Sequence, residues 1–157
     1  MPARPGPRGG GLIPSLDRPA AAVSRNDYGA CVVAARDLAP GETVERFEGP
    51  VLPWDEVPPA EVIYVISFEP HRWLVPRTGA RYLNHSCDPN CEFLPTRDVV
   101  TRRTVAAGEE LTISYDWADR AQYARHPDHY FWDPRWTFAC RCRSPRCLGL
   151  IDRYRPV

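Results

Sequence analysis

The chain reads as a mainly β protein, and three observations lead there. Its apolar residues fall in short runs rich in Val, Ile, Tyr and Phe, broken by Pro, Gly, Asn and Asp turn signals, and runs of that length and composition are strands. Residues 118–125 are the best helix candidate, and it is short. One seven-residue phrase, Arg-x-[Leu/Val]-Ala-x-Gly-Glu, occurs at 36–42 and again at 103–109. Each copy reads as a turn after a strand with glycine at positive φ. Many short strands with turn punctuation and little helix indicate a β architecture.

Residues 1–19 are Pro/Gly/Arg-rich and include Arg8-Gly9-Gly10-Gly11. Such a segment has too little apolar content to offset its ordering entropy, so a disordered tail is expected. Residues 30–35 (Ala-Cys-Val-Val-Ala-Ala) read as a buried strand, with 43–47 as the returning strand beyond the first turn phrase. Residues 50–59 hold four prolines and read as a loop. Residues 61–68 read as a strand, with a short helix over the first half as the alternative, and 71–75 as another strand. Residues 91–94 and 99–105 are expected to form a hairpin across 95–98, and 111–115 a strand. Residues 126–138 form an aromatic, Pro-broken loop holding Tyr130, Phe131, Trp132, Trp136 and Phe138. The division is a tail over 1–19, one domain over 20–125 and a C-terminal appendage over 126–157.

A chain of 157 residues is long enough for one real core. Its 20 basic and 20 acidic residues cancel, which argues against nucleic-acid binding through bulk charge. The N-terminus lacks the charged-then-apolar pattern of a signal peptide. No apolar run approaches the roughly 18 residues of a membrane span. Six cysteines stand at 31, 87, 91, 140, 142 and 147. The closely spaced C-terminal ones suit a shared metal better than a disulfide. The expectation is an intracellular, cytoplasmic protein with reduced thiols, a nuclear or nucleoid location also fitting, and not a secreted one.

Three motifs carry the chemistry. The central one is Arg81-Tyr82-Leu83-Asn84-His85-Ser86-Cys87-Asp88-Pro89-Asn90-Cys91. It is too polar for a core strand, and its density of polar groups between apolar runs points to a backbone pinned against something. His85 next to Ser86 does not make a nucleophile–base pair, since adjacent residues rarely meet that geometry and no acidic orienting residue is identifiable. The second is Gly108-Glu109-Glu110-Leu111-Thr112-Ile113-Ser114-Tyr115. The third is Cys140-x-Cys142-x4-Cys147, which supplies three thiolates where structural zinc takes four ligands.

In this order the three motifs resemble the SET-domain protein lysine methyltransferases with a post-SET zinc tail. The resemblance covers roughly residues 22–151, and the size suits a small stand-alone member. It implies a SET fold: several short-stranded sheets around a pseudoknot-like segment, with a small zinc-binding tail. It implies S-adenosylmethionine as methyl donor and one structural Zn²⁺ held by Cys87, Cys140, Cys142 and Cys147. By the same resemblance Asn84 and the backbone of His85 hold the donor, with Tyr28, Gly29, Arg81 and Tyr82 as further contacts. The family's opening Gly-x-Gly is incomplete here, since Asn26-Asp27-Tyr28-Gly29-Ala30-Cys31 keeps only Gly29.

Tyr115 matches the family's catalytic tyrosine. Ile113, Tyr64, Trp136 and Phe138 are expected along the lysine channel. Isoleucine at 113, where relatives often carry Phe or Tyr, leans toward higher methylation states. The implied activity is methyl transfer to a lysine ε-amine of a histone, histone-like, ribosomal or other protein. The alternative is a catalytically silent module of the same fold that recognises a lysine-containing tail. No direct nucleic-acid or membrane contact is expected, and a homodimer could complete a substrate groove. The chain contains no lysine of its own.

Overall fold

The computed structural model describes residues 18–69, 71–115, 130–132, 138–151 and 154–156. The helix expected over 118–125, Trp136 and nearly all of the expected N-terminal tail lie outside these residues. Among the described residues the protein is mainly β, with short strands in two- and three-stranded sheets and three 3-10 turns. No helix among them is long and apolar enough to cross a membrane.

Strands β1 (Ala21–Asn26) and β2 (Gly29–Ala34) form an antiparallel hairpin with Asn26 opposite Gly29. The Tyr28 N–H donates to Asn26 Oδ1 at 2.8 Å, a side-chain turn that tightens the loop. Strand β2 is the apolar run expected over 30–35, and Cys31, Val32 and Ala34 are buried. Its partner differs from the sequence expectation. Residues 43–47 do not return beside it: strand β3 (Thr43–Arg46) pairs instead with β9 (Asp98–Thr101). The true partner, β1, has no fully buried residue. Its backbone pairing holds it as a strand without a strong apolar alternation to announce it.

The opposite edge of β2 takes up the second copy of the turn phrase. Ala34 N–H donates to the Glu109 carbonyl at 2.9 Å and Leu111 N–H to the Val32 carbonyl at 2.8 Å. In both copies the glycine has φ +82° (Gly41 and Gly108), and a Cβ built on either would meet nothing within 4 Å. Glycine is therefore required by the backbone conformation, not by lack of room. The copies also meet each other. Leu38 N–H donates to the Val105 carbonyl at 2.8 Å and Val105 N–H to the Leu38 carbonyl at 3.0 Å, with both side chains buried.

The hairpin expected across 95–98 is present as β8 (Cys91–Phe93) and β9, the second strand ending earlier than the sequence pattern indicated. With β3 it makes a three-stranded sheet. A second such sheet places β6 (Arg72–Leu74) between β4 (Val51–Leu52) and β5 (Ile66–Glu69). Residues 61–68 split as the alternative reading had it: Pro59–Tyr64 is a 3-10 turn and the strand starts at Ile66. Pro59 at the start of that turn has its φ already set for a helical bend. Val32, Leu38, Phe47, Leu74, Leu83, Val99 and Leu111 form the main core, and Trp73 anchors a smaller one with Val57, Val65 and Val75.

Two arrangements set up the site. Strand β7 (Asn84–His85) lies parallel to β10 (Thr112–Ile113), with Ser86 N–H donating to the Ile113 carbonyl at 2.9 Å. A parallel pair needs a crossover, and the chain from 86 to 111 provides it. In the C-terminal appendage β12 (Phe138–Ala139) pairs with β13 (Leu150–Ile151). Strand β11 (Tyr130–Trp132), inside the stretch expected to be a loop, pairs with β14 (Tyr154–Pro156). Tyr-Phe-Trp is a strand-favouring triplet, but its partner lies at the far end of the chain, where no strand was expected.

Candidate functional site

Asn90 explains the polar density of the central segment. It is 2% exposed, so its amide must find partners. Its Oδ1 accepts the Thr112 N–H at 2.9 Å and its Nδ2 donates to the Glu110 carbonyl at 2.8 Å. The backbone ahead of Tyr115 is thereby pinned to the central segment.

The two parallel strands and the tail border an open cleft of about 870 Å³. Asn26, Asp27 and Tyr28 line it from the first hairpin, and Asn84, His85 and Ser86 from the central segment. Glu110, Thr112 and Tyr115, just past the second turn copy, add a third side. Residues of the tail from Ala139 to Pro145 close the remaining side. Arg143 reaches across the cleft to Tyr28, donating to its hydroxyl at 3.2 Å.

The Tyr115 hydroxyl donates to the Leu83 carbonyl, which turns the phenolic lone pairs away from that carbonyl. The Tyr115 N–H donates to His85 Nδ1 at 3.0 Å. Nδ1 is therefore the unprotonated nitrogen, so the proton sits on Nε2. Nε2 faces Cys87 Sγ at 3.3 Å. One imidazole thus spans from the backbone of Tyr115 to a thiol of the tail cluster.

That cluster is Cys87, Cys140, Cys142 and Cys147, whose sulfurs all lie within 4.8 Å of one another. Cys87 and Cys140 sulfurs are 3.7 Å apart. A tetrahedron with metal–sulfur bonds of about 2.3 Å has edges of about 3.8 Å, which the Cys87–Cys140 pair matches and which no pair of the four exceeds by more than about 1 Å. All four are free cysteines. Leu148 N–H points at Cys87 Sγ at 3.4 Å and Gly149 N–H at Cys147 Sγ at 3.4 Å. Burial pushes the Cys140 thiol up to about 12. Burial acts on Cys142 too, but the N–H groups of Cys87 and Ser144 and the thiols of Cys140 and Cys147 outweigh it and bring Cys142 down to about 6. A bound dication would draw the thiol protons off the cluster.

The other expected site residues are placed unevenly. Tyr28, Asn84, His85 and Tyr115 line the cleft, and Gly29 sits at the hairpin beside Tyr28. Arg81 and Tyr82 fall outside the cleft lining. The Arg81 guanidinium pairs with Glu61 at 2.6 Å and lies 4.1 Å over the Tyr64 ring, which packs edge-on against Tyr82 at 5.8 Å. Tyr64 is therefore a member of this outer cluster and does not line the cleft. Ile113 is buried in the main core. Phe138 lies on β12, and Trp136 is outside the described residues.

The sequence reading did not single out Glu110, Asn26 or Asn90. Glu110 accepts from Asn84 Nδ2 at 2.8 Å and from Asn26 Nδ2 at 3.0 Å. The available signal was a second acidic residue inside an already conspicuous motif.

A SET-domain family model matches residues 29–116, more than half of the chain. The chain belongs to the SET-domain family. It is 32% identical over 91 residues to the histone-lysine N-methyltransferase ash1 of Drosophila melanogaster, a match covering 51% of this chain and 4% of that protein. It is 28% identical over 127 residues to the histone-lysine N-methyltransferase met-2 of Caenorhabditis elegans, covering 74% and 8%. It is 40% identical over 73 residues to the methyltransferase flvH of Aspergillus flavus, covering 45% and 34%. The chain thus spans a small part of the length of these relatives. A crystal structure of a Plasmodium falciparum protein assigned as a histone methyltransferase superimposes with a TM-score of 0.52 at 19% identity, over 64% of this chain and 96% of that one. At that identity the likeness speaks for the fold.

Proposed function

We propose that the protein is an S-adenosylmethionine-dependent protein-lysine N-methyltransferase whose active site is the cleft bordered by β7, β10 and the cysteine tail. The observation that carries the reading is the Tyr115 hydroxyl, tied to the Leu83 carbonyl one residue before Asn84 and His85. When bound, S-adenosylmethionine would supply a methyl group on a positively charged sulfur. Asn84 and the backbone of His85 would hold it. The attacking lysine is protonated at neutral pH, and freeing its lone pair from a pKa of about 10.4 costs about 4.6 kcal/mol. A desolvated approach lowers that cost by disfavouring the ammonium. With its own O–H donated to the Leu83 carbonyl, the Tyr115 hydroxyl would accept an N–H of the incoming amine and so orient the nitrogen lone pair for in-line displacement of the donor's thioether.

The four cysteines would hold one structural zinc, with the size of the cluster and the acidified Cys142 as the support. Such a zinc would tie the tail to Cys87 and so wall the cleft. The substrate is a lysine-bearing protein, histone-like or ribosomal among the candidates, docking as an extended segment.

The test is label transfer from radiolabelled S-adenosylmethionine to a panel of lysine-rich proteins, comparing the wild type with Tyr115→Phe. Lysine label that falls sharply in the variant is the expected result. Donor binding without transfer to any protein favours the silent module, and no donor binding at all removes the reading.

A further inference from the structure

The hydrogen bonds around Glu110 run in one direction only. Asn84 Nδ2 faces two acceptors, Glu110 Oε1 at 2.8 Å and the Ala30 carbonyl at 3.4 Å. Turning that amide over would set its oxygen against both. Asn26 is fixed just as firmly, with Oδ1 taking the Tyr28 N–H at 2.8 Å and Nδ2 donating to Glu110 Oε2 at 3.0 Å. Each carboxylate oxygen of Glu110 therefore takes one amide donor. An ionised carboxylate offers only acceptors, so it dictates which way both amides point. The consequence falls on Asn84 Oδ1, which is left as an acceptor on a residue lining the cleft.

We infer that Glu110, held between Asn26 and Asn84, is a positioning residue that fixes the Asn84 amide with its oxygen toward the ligand, making Asn84 a receptor for an ammonium group. This rests on the proposed function, in which Asn84 holds the amino-acid end of S-adenosylmethionine; Glu110 and Asn26 would set the direction of that hold. Asn26, on the first hairpin, belongs to the same device although it is far away in sequence.

The direction of the bonds makes the inference testable by reversing it. Glu110→Gln presents an amide to two amides, so one donor meets a donor and Asn84 loses its fixed orientation. Asn26→Asp sets two carboxylates against each other. In the double variant the new glutamine's nitrogen donates to the new aspartate, and its oxygen accepts from Asn84, restoring the pattern at unchanged net charge. The aspartate retains an oxygen for the Tyr28 N–H. The zinc-loaded wild type, both single variants and the double variant are titrated calorimetrically with S-adenosylmethionine and with 5′-methylthioadenosine, which lacks the amino-acid end.

The expected result is a loss of about tenfold or more in S-adenosylmethionine affinity for each single variant, in line with a charge-assisted hydrogen bond. The double variant should recover to within about threefold of wild type, and methylthioadenosine should bind all four proteins alike. Single variants that bind the donor as the wild type does would overturn the inference and leave the cofactor reading standing. So would a double variant that fails to recover, or a parallel loss of methylthioadenosine, either of which marks a packing role. A wild type that binds neither compound defeats the cofactor reading, and the inference falls with it.

Discussion

The corners at 36–42 and 103–109 are one device built twice. In the first, Arg36 pairs with Glu42 at 2.8 Å and the Ala39 N–H donates to the Glu42 carboxylate at 2.6 Å. In the second, Arg103 pairs with Glu109 at 3.0 Å and the Ala106 N–H donates to the Glu109 carboxylate at 3.2 Å. The glycines share one φ, and the two corners bond to each other through Leu38 and Val105. Their continuations differ. The first runs into β3, a strand of the β3-β9-β8 sheet. The second runs along β2 into Glu110, Thr112 and Tyr115 on the cleft, and Asn90 Nδ2 reaches its Glu109 carboxylate at 3.3 Å. A local phrase thus fixes a backbone shape, while its neighbours decide whether that shape serves the site.

If this division holds, damage after the second corner strikes chemistry and damage at the first strikes only stability. The largest effect is expected from Tyr115→Phe, which should slow methyl transfer by a factor on the order of 100 to 1,000, the scale of losing one aligned polar group in an active site. Arg46→Ala, after the first corner, removes an exposed pair with Asp98 and should leave single-turnover rates unchanged. Equal losses in the two variants would break the comparison.

Cys142→Ser comes next. Metal analysis should find about one zinc in the wild type and much less in the variant. Donor affinity should fall by about tenfold, because the tail walls the cleft and Cys87 faces His85. Unchanged zinc content would remove Cys142 as a ligand, and unchanged affinity would detach the tail from the site.

Gly41→Ala and Gly108→Ala sharpen the comparison directly. Both force a side chain into left-handed backbone at a cost of about 1–2 kcal/mol, so thermal midpoints should drop by similar amounts. Only Gly108→Ala should also weaken donor binding in excess of its stability loss.

The smallest effect concerns acid. The Arg36 and Ala39 hydrogen bonds hold the Glu42 carboxyl below its ordinary value near 4.5. Burial raises Glu109, but Arg103, Ala106 and Asn90 outweigh it and leave it lowered as well. A carboxylate depressed in the folded state stabilises the fold above its unfolded pKa, and that contribution disappears as pH falls through the folded value. Glu42→Gln and Glu109→Gln should each flatten the stability profile below about pH 4.5. Above that pH Glu109→Gln alone should disturb the cleft, read as a weaker donor affinity at neutral pH.

Much of this protein was legible in order along the chain. The β character follows from short apolar runs, the corners from their repeated phrase, and the four-cysteine set from the resemblance that joined Cys87 to the tail. Other features were hidden because their partners are remote. Glu110 reads as one more acidic residue until Asn84, 26 positions away, and Asn26, 84 positions away, meet it. Arg81 lies in the conspicuous central motif, yet Glu61 and Tyr64 draw it away from the cleft lining. Strand β1 owes its state to pairing with β2, which no local pattern reports.

By itself, then, the sequence determined the local shapes: turn phrases that need positive φ, runs that suit strands, and thiols spaced for a metal. Those depend on residues within a few positions of one another, so the linear order records them. Only the tertiary structure decided which turn copy faces a cleft, which way the Asn84 amide points and which thiol an imidazole touches. Hydrogen bonds are directional and short, so such facts exist only once distant segments lie within about 3 Å of each other.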